Sequence, residues 1–309
     1  MAMRILIVGA GAVGGYFGGR LAEAGRDVTF LVRPARAKQL RQDGLRIISP
    51  HGDAVLTPKL VSAGEIDAPY DLVFLAVKAY ALEAAMNDLA PAVGPETMIL
   101  PVLNGMRHLD LLMQRFRKDA VIGGVCLVAT EMDRDGRIVQ IADIQQLAYG
   151  ERNGERTPRL QSLDATLQGA GFDARLSTDI MQALWEKWVQ LASLGAVTCL
   201  MRGAIGEIVA APGGADLSLK VLDECAAIAA ACGHQPSEPF LARHAGAMTA
   251  PGSPLTSSMY RDLRKGAPVE VDHILGDLLE RGGAQRVVTP LLKAAFVHLR
   301  VYLDGLSKR

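Results

Sequence analysis

Three groups of residues in this 309-residue chain have the types and spacing for chemistry. The first is Gly9-Ala10-Gly11-Ala12-Val13-Gly14, a G-x-G-x-x-G turn that follows the apolar run RILIV. Such a turn lets a backbone approach a diphosphate, and the N–H groups of the helix after it face the anion. The second group stands where further apolar runs end: Arg33 after DVTFLV, Lys78 after DLVFLAV and Asn104 after TMILPVL. The carboxyl ends of strands in an open α/β sheet face the ligand crevice, so each of these side chains is a candidate contact. The third is Lys187, set between the only two tryptophans, Trp185 and Trp188.

Arg33 decides the cofactor reading. A site for NAD usually places an acidic residue about 20 positions beyond the glycines, where it grips the ribose hydroxyls. Here that place holds Arg33, with Arg36 and Lys38 after it. A guanidinium bonds a 2′-phosphate bidentately, so the expected cofactor is NADP(H). Lys187 by itself reads as a solvated helix lysine, because a lone cation on a helix is usually that.

The elements that must position these groups follow from the apolar patterning. Residues 1–178 alternate short β-rich runs with helical segments, which implies a parallel sheet with right-handed crossovers. The stretch 45–60 reads as two short strands about a His51-Gly52-Asp53 turn, and 120–141 as strands about Asp135-Gly136. Residues 179–309 read as helices at about 180–200, 203–210, 215–231, 237–248, 269–282 and 288–303, with a loop at 249–259. The expectation is an α/β domain followed by an all-helical domain, with the boundary near residue 178.

Composition removes several function classes. Lys+Arg and Asp+Glu are both 33, so no global charge favours nucleic acid or an acidic membrane. MAMRILIVGAG turns glycine-rich too soon for a signal peptide and reads as a strand, and no apolar run is long enough to span a membrane. Cys126, Cys199, Cys225 and Cys232 form no C-x-x-C pair, as expected of buried thiols in a reducing cytoplasm. The six histidines do not cluster, so no metal is assigned. A homodimer through the Ala- and Leu-rich half is compatible with the composition.

Taken together, GAGAVGGYFGGRL, VRPAR, FLAVKAY, LNGM, WEKW and SSMYRDLRKGAPVEVDHILG resemble the ketopantoate reductases (2-dehydropantoate 2-reductases) over nearly the whole chain. The resemblance implies a Rossmann domain, a C-terminal domain like that of 6-phosphogluconate dehydrogenase, and an active site in the cleft between them. It implies NADPH reducing the ketone of a 2-keto acid. Residues Gly9 to Gly14 and Arg33 would hold the phosphates, Lys78 and Asn104 would line the cofactor and substrate crevice, and Glu270 would stand near the nicotinamide. Ser258 would bind the substrate carboxyl end and Lys187 would donate the proton. Hydride addition makes an alkoxide, which needs a positive partner and then a proton, and an ammonium supplies both. Trp185 and Trp188 are either low-dielectric walls for that ammonium or core anchors.

The pattern breaks one and two turns beyond Lys187. Where the family usually carries two asparagines, this chain has Leu191 and Gly195. Positions four and eight apart share a helix face, so the change falls on the expected pocket wall. Two amides become an apolar side chain and a void, with Gln190 the one nearby amide. The expectation is a larger, more apolar pocket and a bulkier 2-keto acid, with ketopantoate a poor substrate. The alternatives are authentic ketopantoate reduction through a compensating pocket, oxidation of a hydroxy acid, and a non-catalytic NADPH-binding sensor.

Overall fold

A computed structural model describes residues 2–306 and divides them into two units. The first comprises residues up to Leu103 and His108–Met181; the second comprises Asn104–Arg107 and the chain from Gln182. The division by contacts falls after Met181, close to the expected boundary near 178. The turn Asn104–Arg107, which sequence alone assigns to the first domain, groups with the second.

The first unit runs β1 (Arg4–Val8), α1 (Ala12–Glu23), β2 (Asp27–Leu31), α2 (Pro34–Asp43), β3 (Leu45–Ile48), β4 (Ala54–Leu56), β5 (Lys59–Val61), β6 (Leu72–Leu75), α3 (Leu82–Leu89) and β7 (Met98–Pro101). After α4 (Arg107–Arg115) come β8 (Gly123–Met132), β9 (Ile138–Gly150), α5 (Pro158–Leu167) and β10 (Asp173–Leu176). One sheet is parallel throughout, in the order β5-β2-β1-β6-β7. The other has the order β10-β9-β3-β4, with β8 paired antiparallel to β9. The pairing of β3 with β4 matches the expected hairpin. Lys59–Val61 leaves it and joins the edge of the first sheet.

Helix α1 explains how one small element serves two sheets. A Cβ added at Gly18 would stand 2.7 Å from Ile7 and 2.8 Å from Phe30, both on the first sheet. Added at Gly15 it would stand 2.3 Å from Ile138, and at Gly19 2.6 Å from Ile47, both on the second. The glycines therefore let β-branched and aromatic side chains come within a methyl's width of the helix on two faces. Tyr16, Phe17 and Leu21 fill the remaining space and are fully buried. Each contributes on the order of 1.5–3 kcal/mol by leaving water.

The second unit is helical: α6 (Ile180–Met201, entering it from Gln182), α7 (Ile205–Ala210), α8 (Gly214–Ala231), α9 (Glu238–Met248), α10 (Ser258–Arg264), α11 (Asp277–Ala284) and α12 (Pro290–Leu306). Helix α6 is buried on nearly every side, through Trp185, Trp188, Val189, Ala192, Leu194, Val197 and Cys199. An all-round apolar helix of this kind belongs inside its domain. It ends at Arg202, whose φ is +60° and whose carbonyl accepts the Tyr260 hydroxyl at 2.7 Å. Residues Asp272–Gly276, read from sequence as ordinary helix, form a π-helical turn leading into α11. Among the described residues no helix is long and apolar enough to cross a membrane.

Candidate functional site

In the first unit the glycine turn follows β1 directly. Gly9 has φ +100°, and a Cβ there would press on the Ala76 carbonyl at 3.1 Å, just beyond the end of β6. Gly11 caps α1, and a Cβ added to it would meet nothing within 4 Å. At Gly14 the added Cβ would lie 2.1 Å from the Gly9 carbonyl. The three positions thus divide the work: Gly9 turns the chain, Gly11 leaves the approach open, and Gly14 lets the helix start against the loop. The first turn of α1, which includes Ala12 and Val13, carries no acidic residue. Its free N–H groups and positive dipole end therefore suit a phosphate.

Arg33 is the N-cap residue of α2 and is exposed. Arg36 is held. Its Nε donates to the Ala10 carbonyl at 3.1 Å, and its Nη1 donates to Gln39 Oε1 at 2.6 Å and to the Gly136 carbonyl at 3.1 Å. It therefore ties the glycine turn to the hairpin between β8 and β9. Burial lowers its pKa, and the nearby Arg46 adds to the effect. Sequence named Arg36 only as a follower of Arg33. Its place one turn beyond Arg33 is a signal that could have singled it out. Lys78 lies exposed beyond β6, at the carboxyl end of the parallel sheet, where it caps the short 3-10 turn Ala79–Ala81.

In the second unit Lys187 is only 8% exposed, which corrects its stand-alone reading as a solvated lysine. Neither tryptophan is merely a greasy wall. Trp188 donates its indole N–H to the Ile274 carbonyl at 2.8 Å, and Trp185 stacks on His234 at 5.2 Å. Both are core anchors, and their rings lie 5.1 Å apart. Leu191 and Gln190 are half-buried.

The void expected at Gly195 is filled. A Cβ on Gly195 would stand 2.7 Å from the methyl of Met259, a residue 3% exposed. The helix face beyond Lys187 therefore carries no empty space at Gly195. Met259 gave no signal in the sequence, since its partner lies on a different helix. A second contact holds α10 against α6. Thr198 donates to the Leu194 carbonyl at 2.6 Å, so Ser257 donates to Thr198 Oγ1 at 2.9 Å. The Ser257 oxygen also caps α10 by accepting the Tyr260 N–H. Ser258 lies between the residues that make these two contacts and is half-buried. Glu270 is buried, and its carbonyl accepts the Ile274 N–H at 3.0 Å just before the π turn. Asp262 is half-buried on α10, and its carbonyl accepts the Ala267 N–H at 2.9 Å. Asn104 is half-buried, and Gly105 beside it packs on the carbonyl of His273.

Comparison with known proteins agrees with these features. The family model described as ketopantoate reductase PanE/ApbA matches residues 5–154, and its C-terminal counterpart matches 179–302. The Bacillus subtilis protein YkpB, named only as an oxidoreductase, is 36% identical and covers 97% of this chain and 99% of its own. A 2-dehydropantoate 2-reductase of Mesorhizobium japonicum is 29% identical, covering 96% of this chain and 97% of its own. Among solved structures, 2-dehydropantoate 2-reductase from Geobacter metallireducens superposes with a TM-score of 0.88 at 28% identity, covering 97% of this chain and 99% of its own. D-mandelate dehydrogenase, solved with NADH, shares the fold at 22% identity and a TM-score of 0.88, over 99% of this chain and all of its own.

Proposed function

The chain belongs to the ketopantoate reductase family of oxidoreductases, and from that premise we propose that it reduces a 2-keto acid with NADPH, Lys187 giving the proton. The observation that carries the reading is Lys187 itself. It is buried on α6, on the helix face that it shares with Leu191 and Gly195, at the place where the resemblance puts the proton donor. The bound cofactor would supply the hydride. The protein then has to stabilise the developing alkoxide and protonate it, which Lys187 Nζ does in one position. Ser258 is the hydroxyl for the substrate carboxylate, and Asn104 and Glu270 are the polar groups for the cofactor and the reacting end.

Cofactor choice rests on the first unit. The open approach at Gly11, the N-terminus of α1 and the exposed cation of Arg33 fit a dinucleotide phosphate. The acidic residue that would grip a free ribose is absent at position 33. Lys78 adds a second cation at the sheet's carboxyl end.

Leu191 and the methyl of Met259 over Gly195 support an apolar substrate side chain. A pocket that lacks the two amides at positions 191 and 195 gives up discrimination for a hydroxylated substrate. The expected order is therefore turnover of a 2-keto acid with an apolar side chain above turnover of ketopantoate. The test is NADPH oxidation across a panel of 2-keto acids including ketopantoate, with Lys187→Ala alongside. Loss of turnover on the best acid by a factor of a hundred or more in the variant supports the reading. Binding of NADPH with no turnover of any ketone would leave a sensor instead, and ketopantoate as the best substrate would overturn the apolar assignment.

A further inference from the structure

The π turn at Asp272–Gly276 belongs to no assigned role, and three separate motifs converge on it. A π turn interrupts the i to i+4 ladder and leaves carbonyls in need of other partners. The Ile274 carbonyl takes the Trp188 indole N–H at 2.8 Å. The neighbouring His273 carbonyl lies against Gly105, where an added Cβ would come within 2.3 Å of its oxygen. Gly105 also has φ +75°, so a side chain there is opposed twice, by conformation and by space. One carbonyl of the turn thus accepts a hydrogen bond from α6, and the one before it packs against the backbone at Gly105.

Trp188 is held on its other surfaces as well. It is 1% exposed, lies 5.1 Å from the Trp185 ring, and carries the Arg281 guanidinium 5.5 Å from its centroid. Arg281 is in turn paired with Asp277 at 3.2 Å. Asp277 is the first residue of α11, immediately after the π turn. The ring edge is therefore bonded to the backbone of the turn, and the ring face meets a cation paired with the side chain just after it.

A side chain fixed at one position of a helix fixes the rotation of that helix about its axis. Lys187 is the adjacent residue, and its direction is set by that rotation. We propose that Trp188 is the positioning residue for Lys187, with the Ile274 carbonyl of the π turn as its fixed point. Glu270, four residues before Ile274, and Asn104, beside Gly105, are registered to the same turn, so one local irregularity sets three site residues. This rests on Lys187 having the role given above.

The test is Trp188→Phe, which keeps a packed ring and removes the N–H. With NADPH and the best acid of the panel, kcat should fall tenfold or more while KM for both substrates stays within about twofold, and the pH profile of kcat should move. Trp185→Phe, which loses only packing against Trp188 and His234, should match wild type in kcat. A purely structural role would lower the melting temperature in both variants and leave kcat and its pH profile alone. Trace acetylation with acetic anhydride, read by mass spectrometry, needs no substrate. In Trp188→Phe the labelling of Lys187 should change at least threefold, while exposed Lys59 and Lys220 stay constant. Unchanged labelling of Lys187 overturns the proposal. A wild type that reduces no keto acid but shows the labelling change counts against the reductase reading and leaves the positioning intact.

Discussion

Acid should loosen the helix that carries Lys187, through a histidine remote from the chemistry. His244 on α9 is 5% exposed, stacks on Phe240, and meets Ser193 of α6 through Nε2 at 2.9 Å. Ser193 gives its own proton to the Val189 carbonyl at 2.7 Å, so the network assigns the hydrogen to His244 Nε2. Burial foremost, and then the neighbouring Arg243, push the His244 pKa from 6.5 down to about 4. Between those values the unfolded chain binds a proton that the folded chain refuses. Stability from this group is therefore complete above pH 6.5 and is lost as the pH falls toward 4. At about 1.4 kcal/mol per pH unit the loss comes to about 3 kcal/mol across that window. This is a large share of a domain's margin of about 5–15 kcal/mol. Both tryptophans lie on α6 in the second unit, so urea unfolding followed by their fluorescence reports that unit alone. His244→Gln retains a donor for Ser193 and does not titrate. The wild type should lose about 3 kcal/mol more than His244→Gln between pH 7 and pH 4. Equal losses in the two proteins would refute the argument.

Three further outcomes follow from the geometry. Gly14→Ala places a methyl 2.1 Å from the Gly9 carbonyl, so NADPH binding by fluorescence titration should weaken at least tenfold while the second unit's unfolding midpoint stays put. Arg33→Ala should weaken NADPH about tenfold or more and NADH hardly at all, in line with about 1.5–3 kcal/mol for a charged hydrogen bond. Gly195→Asn should lower stability by about 1–3 kcal/mol through overpacking against Met259, and adding Met259→Ala should recover more than half of it in a double-mutant cycle.

What the sequence revealed depended on how local each cause was. The glycine turn was legible because a positive φ and a close approach are demands on single residues, and the spacing carried them. The hairpin of β3 and β4 was legible from its turn. Lys59–Val61 was not, since three residues carry no usable period and their place in the first sheet comes from pairing with β2. EVDHILG has ordinary helical residues, and the π turn within it accepts a hydrogen bond from Trp188 and packs against Gly105, both far away in the chain. Gly195 looked like a void because a missing side chain says nothing about what fills its place. Lys187 was indistinguishable from a surface lysine until the family resemblance singled it out. The burial of its helix is the physical difference.

The four glycines at positions 14, 15, 18 and 19 have a kinetic consequence. Each disfavours an isolated helix by about 1 kcal/mol relative to alanine, so α1 cannot nucleate by itself. Its faces at Gly15, Gly18 and Gly19 are shaped to surfaces that exist only once both sheets have paired. The helix should therefore join late, with φ-values near zero along its length. The glycine turn that opens it would then be among the last pieces of the chain to take shape during folding, and a dinucleotide bound there would slow unfolding more than it speeds folding.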